Sequence, residues 1–103
     1  MTDYNKLEKA EAKRMGAKTT KNSGRGMLKG DGIWRDFVVD WKFAVKSFAL
    51  NQKVWAKVVT DALKRDKHKS PALIIVLGEG REKVRLAILE LSVLEDILDR
   101  LEE

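Results

Sequence analysis

The stretch Gly30-Asp31-Gly32-Ile33-Trp34-Arg35-Asp36-Phe37-Val38-Val39-Asp40-Trp41-Lys42-Phe43-Ala44 decides the fold of this chain. Its second half is an apolar strand interrupted by charge. Side chains alternate along a strand, so Phe37, Val39, Trp41 and Phe43 form one face, and Asp36, Val38, Asp40, Lys42 and Ala44 form the other. Asp40 and Lys42 therefore point the same way. With about 3.3 Å of rise per residue, their Cα atoms lie roughly 6 to 7 Å apart, close enough to converge on one small ligand or ion. Ile33 and Trp34 make the other arm of a hairpin that turns near Arg35 and Asp36, and folding it carries Asp31 and Asp40 toward one end.

N-terminal to this stretch, residues 3–15 are rich in Ala, Lys, Glu and Leu and read as a helix that Gly16 ends. Its apolar stripe, Tyr4, Leu7 and Met15, has Glu8 and Glu11 as neighbours, so a carboxylate is expected to turn toward the body of the protein, which is costly without a partner. Residues 17–30 form a polar, glycine-rich and cationic segment, read as a flexible basic loop. It lacks the Walker spacing of a P-loop.

C-terminal to the hairpin, Gln52–Arg65 reads as an amphipathic helix with Trp55, Val58, Val59, Ala62 and Leu63 inward and Lys53, Lys57 and Lys64 outward. Ala72-Leu-Ile-Ile-Val-Leu is an uninterrupted apolar run, as expected of a central strand buried on both faces. A turn at Gly78-Glu-Gly-Arg leads to a strand starting at Lys83, with Val84, Leu86 and Ile88 alternating against Lys83 and Arg85. Ser92 with Glu95 reads as a capping box opening the helix of residues 91–103, whose stripe is Leu94, Ile97, Leu98 and Leu101. The expected order is α-β-β-α-β-β-α in a single α/β domain over residues 1–103, a small mixed sheet flanked by helices.

Charge is distributed unevenly within the net +5 of the 103-residue chain. Residues 1–30 carry eight Lys/Arg against three acids, residues 31–70 nine against five, and residues 71–103 four against eight. A basic body with an acidic tail points to a polyanionic partner, nucleic acid first. With no cysteine, thiol catalysis and thiolate zinc sites are excluded. No apolar N-terminal segment or membrane-length span is present, so a cytoplasmic protein is expected, in the host cytoplasm if phage-encoded. His68, the one histidine, lies in a Lys-rich turn and reads as a solvated loop residue.

Asp31, Asp40 and Lys42 together make a chemical constellation. Paired carboxylates suit Mg²⁺, which keeps waters for a phosphate to displace, and an adjacent ammonium can orient a water and offset charge on a scissile phosphate. In isolation, an Asp-x-Lys is an exposed salt bridge. The series Gly30-Asp31 and Asp40-Trp41-Lys42, preceded by a Glu-bearing helix, resembles the PD-(D/E)XK nuclease superfamily. Ser23-Gly24, Lys29-Gly30-Asp31, Phe37-Val-Val-Asp-Trp-Lys, Lys46-Ser47, Trp55 with Lys57, Asp61-Ala62 and Pro71-Ala-Leu-Ile-Ile extend the likeness over roughly residues 8 to 78, to the small phage-type Holliday junction resolvases and related endonucleases.

That resemblance implies a restriction-endonuclease-like core. It implies metal binding by Asp31 and Asp40 with the carbonyl of Trp41, Mg²⁺ or Mn²⁺ as cofactor, and Lys42 as the catalytic lysine. Glu8 is implied as the helix acid, with Glu11 as the competing residue. It further implies a homodimer that cuts branched DNA to leave 5′-phosphate ends. Lys21, Arg25, Lys29 and Lys46 are the expected DNA contacts. Gly30 stands where the family name has proline, Asp40 where glutamate is more frequent, and Phe43-Ala44 where small polar residues are common. A nicking or general structure-dependent nuclease is the neighbouring reading. A non-catalytic nucleic-acid-binding module, or an interaction protein that docks through its acidic C-terminal helix, are the readings from other classes.

Overall fold

The structure, a computed structural model, describes residues 4–19 and 32–102. Helix α1 (Tyr4–Met15) ends at Gly16, whose φ of 77° is the left-handed conformation that closes a helix without a Cβ clash. Ala17 N donates to Ala12 O at 2.8 Å and Gly16 N to Lys13 O at 3.2 Å, turning the chain into β1 (Lys18–Thr19). This short strand lies within the segment read as a loop. Residues 20–31, the rest of that segment and Asp31, lie outside the described residues.

The hairpin forms as read. Strand β2 (Gly32–Trp34) pairs antiparallel with β3 (Phe37–Ala44), with Gly32 opposite Val39 and Trp34 opposite Phe37. Arg35 at φ 54° makes the tight turn. The turn is pinned from outside as well: Ser70 N donates to Asp36 O, and Lys69 Nζ to Arg35 O, both at 2.9 Å. Trp34 and Phe37 stack with centroids 6.2 Å apart.

A parallel crossover follows. Helix α2 (Gln52–Arg65) is capped by Asn51, whose Oδ1 accepts from Val54 N at 2.9 Å. Strand β4 (Ser70–Leu77) then runs beside β3 in parallel register, Val39 opposite Ala72 and Lys42 opposite Ile75. A 3₁₀ turn (Gly80–Glu82) returns the chain as β5 (Val84–Ile88), antiparallel to β4, and α3 (Leu91–Leu101) ends the fold. The described residues thus form a small α/β domain with a five-stranded mixed sheet in sequential order, β1 to β5, flanked by helices.

The sheet separates two cores. On one face, Val39, Trp41, Ala72, Ile74 and Val76 pack with Ala12 of α1, joined by Met15, Phe37 and Phe43. On the other, Leu73 and Ile75 pack with Val58 of α2, joined by Trp55, Phe48, Leu77 and Ile88. Strand β4 supplies both, and so its apolar run has no polar break. Three expectations change. Helix α3 begins at Leu91, with Glu90 before it and no side-chain cap, so Ser92 sits inside the first turn and makes no capping box. None of α3 is buried, although its stripe was read as a packing face. Leu63, read as inward, is exposed, and so are Val84 and Leu86 of β5, where α2 covers β3 and β4 and only Ile88 of that strand joins its core. No helix among the described residues is long and apolar enough to cross a membrane.

Candidate functional site

Strand β3 positions the site. Because Val39 and Trp41 enter the α1-side core, the alternation of the strand sends Asp40 and Lys42 to the opposite face, in register with Leu73 and Ile75 of β4. Lys42 Nζ lies 3.8 Å from Asp40 Oδ2, with side chains 44% and 19% exposed respectively. That is a loose ion pair, too long for a hydrogen bond, with Lys42 partly open to solvent and Asp40 mostly covered. It is the geometry of two groups aimed at a common neighbourhood.

Among the described residues, the ladder between β2 and β3 runs to Gly32 opposite Val39. Asp31 is covalently next to Gly32, and Asp40 next to Val39. Gly32 is itself buried and tightly surrounded: a Cβ there would meet Lys18 O at 2.8 Å and the Trp41 ring at 3.1 Å. The β2 backbone is therefore pressed on the indole of Trp41.

The helix acids take different places. Glu11 is the buried charged residue of the described core, 6% exposed. Arg85 on β5 grips it in a fork, Nε to Oε1 at 2.7 Å and Nη2 to Oε2 at 3.0 Å, and Arg14 adds a longer contact at 3.4 Å. The hydrogen bond from Arg85 holds the Glu11 carboxyl below its usual pKa, against the opposing effect of burial, and the positive charges of Arg85 and Arg14 add to it. The same hydrogen bond raises the already high pKa of Arg85. Glu8, half-buried, lies one turn before Ala12 on α1. Helix α1 packs on the Val39 and Trp41 face, so its acids rise from the side of the sheet opposite to Asp40 and Lys42.

The structure therefore brings Asp40 and Lys42 together, places the Trp41 backbone between them, and leaves Lys46 exposed just beyond β3. Asp31, Lys21, Arg25 and Lys29 lie outside the described residues. Among the described residues, no group of three or more His, Cys, Asp or Glu side chains is gathered to hold a metal ion. Sequence reasoning missed Arg85 as a site-shaping residue. Its alternation with Val84 and Leu86 read as solvent-facing, whereas its register opposite Val76 puts it on the α1 face. The only signal was Glu11 itself, a carboxylate on an inward stripe in need of a cation.

A cleft of about 270 Å³ opens at the C-terminal ends of the parallel strands, between Leu7 and Glu11 of α1, Phe43 of β3, Gly78 and Lys83. It lies on the α1 side and does not include Asp40 or Lys42. Comparison of the chain with protein-family models, with curated proteins and with solved structures returns no match.

Proposed function

We propose that this chain is a metal-dependent, structure-selective DNA endonuclease with a restriction-endonuclease-like core, acting on branched DNA such as a four-way junction. The observation that carries the reading is the Asp40 and Lys42 pair, 3.8 Å apart on one face of β3 with the lysine reaching solvent. The pairing of Gly32 with Val39 supports it, since Asp31 and Asp40 are the chain neighbours of that couple.

The donor set fits a hard cation: the carboxylates of Asp31 and Asp40 and the carbonyl of Trp41 offer only oxygen, as Mg²⁺ or Mn²⁺ prefers. Such an ion, when bound, supplies Lewis-acid polarisation of a phosphoryl oxygen. Lys42 holds its ammonium beside that position, where it orients an attacking water and offsets the negative charge developing on the scissile phosphate. Glu11 uses both carboxylate oxygens on Arg85, on the face of the sheet opposite to Asp40 and Lys42, so the catalytic set we propose is Asp31, Asp40 and Lys42 with no helix acid. Lys21, Arg25, Lys29 and Lys46 contribute the cationic grip on phosphates, which makes affinity fall steeply with salt.

The test is incubation of the protein with a labelled immobile junction and a matched linear duplex, in Mg²⁺ or in EDTA, beside Lys42→Ala. Metal-dependent symmetric cuts in the junction, lost in the variant, are expected. Salt-sensitive binding with no cutting in either Mg²⁺ or Mn²⁺ would replace the enzyme with a binding module.

A further inference from the structure

The end of the sheet where β4 begins gathers cations that the proposed chemistry does not use. Ser70 of β4 lies opposite Phe37 of β3, so the chain leaving α2 comes up against the turn between β2 and β3. The bonds from Ser70 N to Asp36 O and from Lys69 Nζ to Arg35 O hold the two segments together. Residues 64–69 carry Lys64, Arg65, Lys67 and Lys69, and Arg35 joins them from the turn. The acids of these two segments are Asp36 and Asp66, so five positive charges are set against two negative ones. Asp66 spends its Oδ1 on the backbone N–H of His68. None of the five cations makes an ion pair with a described carboxylate.

The dipole of α2 accounts for Lys64 and Arg65 in its last turn, but not for Arg35, Lys67 and Lys69. Arg35 holds φ at 54°, a conformation for which a hairpin turn ordinarily takes glycine, so a long side chain is kept there against backbone strain. Its guanidinium lies 5.8 Å from the centroid of Trp34, which braces it at the tip. Lys69 gives one of its three donors to Arg35 O and keeps two. Arg65 is half-buried, and its buried Nε has no hydrogen-bond partner among the described residues. A guanidinium drawn partly out of water with a donor unmet favours an anion beside it.

We infer that this end is a second seat for the phosphate backbone, one that holds a duplex arm beside the Asp40 and Lys42 pair. The inference deepens the proposed function and rests on its DNA partner, not on its metal chemistry. Phe37 stands three residues before Asp40, about 10 Å at a strand's rise, whereas one turn of duplex spans about 34 Å. One arm therefore reaches both places. Helix α2, whose last residues join the patch, covers the same face of the sheet that carries Asp40 and Lys42.

The test is binding of a fluorescein-labelled linear duplex, followed by anisotropy over a range of NaCl in EDTA, where cutting is silent. Arg35→Gly/Lys67→Gln removes two cations from the patch, and Lys9→Gln/Lys13→Gln removes two exposed cations from α1 as a charge-matched control. At about 0.1 M salt the first should weaken binding by about 10-fold or more and make the slope of log K against log salt shallower by roughly 2, while the second stays within about 2-fold of the parent. Glycine relieves the strain at position 35, so Arg35→Gly alone should unfold at no lower a urea concentration than the parent, which separates weaker binding from a failure to fold. Parent binding that the first double variant leaves unchanged, or that both weaken equally, overturns the inference and leaves the proposed nuclease standing. A parent that binds no duplex or junction overturns both. Displacement by poly-glutamate as readily as by unlabelled duplex would make the patch a seat for acidic protein chains and overturn the inference alone.

Discussion

The two faces of the sheet handle charge in opposite ways. On the α1 face, the buried Glu11 and the partly exposed Arg85 meet through two short bonds, at 2.7 and 3.0 Å. On the α2 face, Asp40 and Lys42 stand 3.8 Å apart and are partly solvated. A buried carboxylate forces its partner into a fork, because an unpaired charge there is costly. The Asp40 and Lys42 side chains have no such fork between them, and a long, partly exposed ion pair of this kind contributes little to stability. The first pair is a fastening between α1 and β5, and the second is the pair on which the proposed chemistry rests.

The sharpest way to break this contrast is chemical. If Asp40 and Lys42 work on a phosphate, Lys42→Ala and Asp40→Asn should each lower junction cutting by about 100-fold or more, with junction binding retained. Glu11→Gln should leave cutting far less affected, measured as initial rates on the labelled junction.

Stability should show the opposite ranking. Glu11→Ala removes the buried partner of Arg85 and is expected to cost about 1 to 2 kcal/mol in urea unfolding. Lys42→Met, on the half-open face, should stay within about 0.5 kcal/mol of the parent. The acid limb sharpens the comparison further. Because the folded pKa of Glu11 is depressed, its contribution is complete at neutral pH and is lost as pH falls below the ordinary carboxylate value of 4.5. Glu11→Gln should therefore flatten the loss of stability seen below that pH.

The smallest expected effects lie at the helix starts. Asn51→Ala removes a real cap and should cost about 1 kcal/mol. Ser92→Ala, inside the first turn of α3, should change stability by less than about 0.5 kcal/mol by the same measurement.

Ser92 also shows where local motifs mislead. Its spacing to Glu95 satisfies the capping pattern, yet the chain leaving β5 turns helical one residue earlier, at Leu91. By contrast, β3 was legible because its period of two is marked by both aromatic and charged residues. The α2 helix was legible because its apolar stripe and lysines divide cleanly. Strand β1 was illegible for a physical reason: a strand of Lys18 and Thr19 has no periodicity and exists only as a partner of β2. Of the site, the shared face of Asp40 and Lys42 could be read from alternation alone. The fate of Glu11 could not, because its partner lies 74 residues away on a strand whose polar side looked like the outside.

Gly32 gives the fold an uneven tolerance for change. Its backbone conformation is an ordinary extended one, so the constraint is purely one of space: even an alanine methyl would press on the Lys18 carbonyl and on the indole of Trp41. In a saturation library of this chain, position 32 should admit almost nothing, while Lys18 and Thr19 beside it accept most replacements. Anyone redesigning the protein can edit the β1 edge freely but must leave that one missing side chain missing.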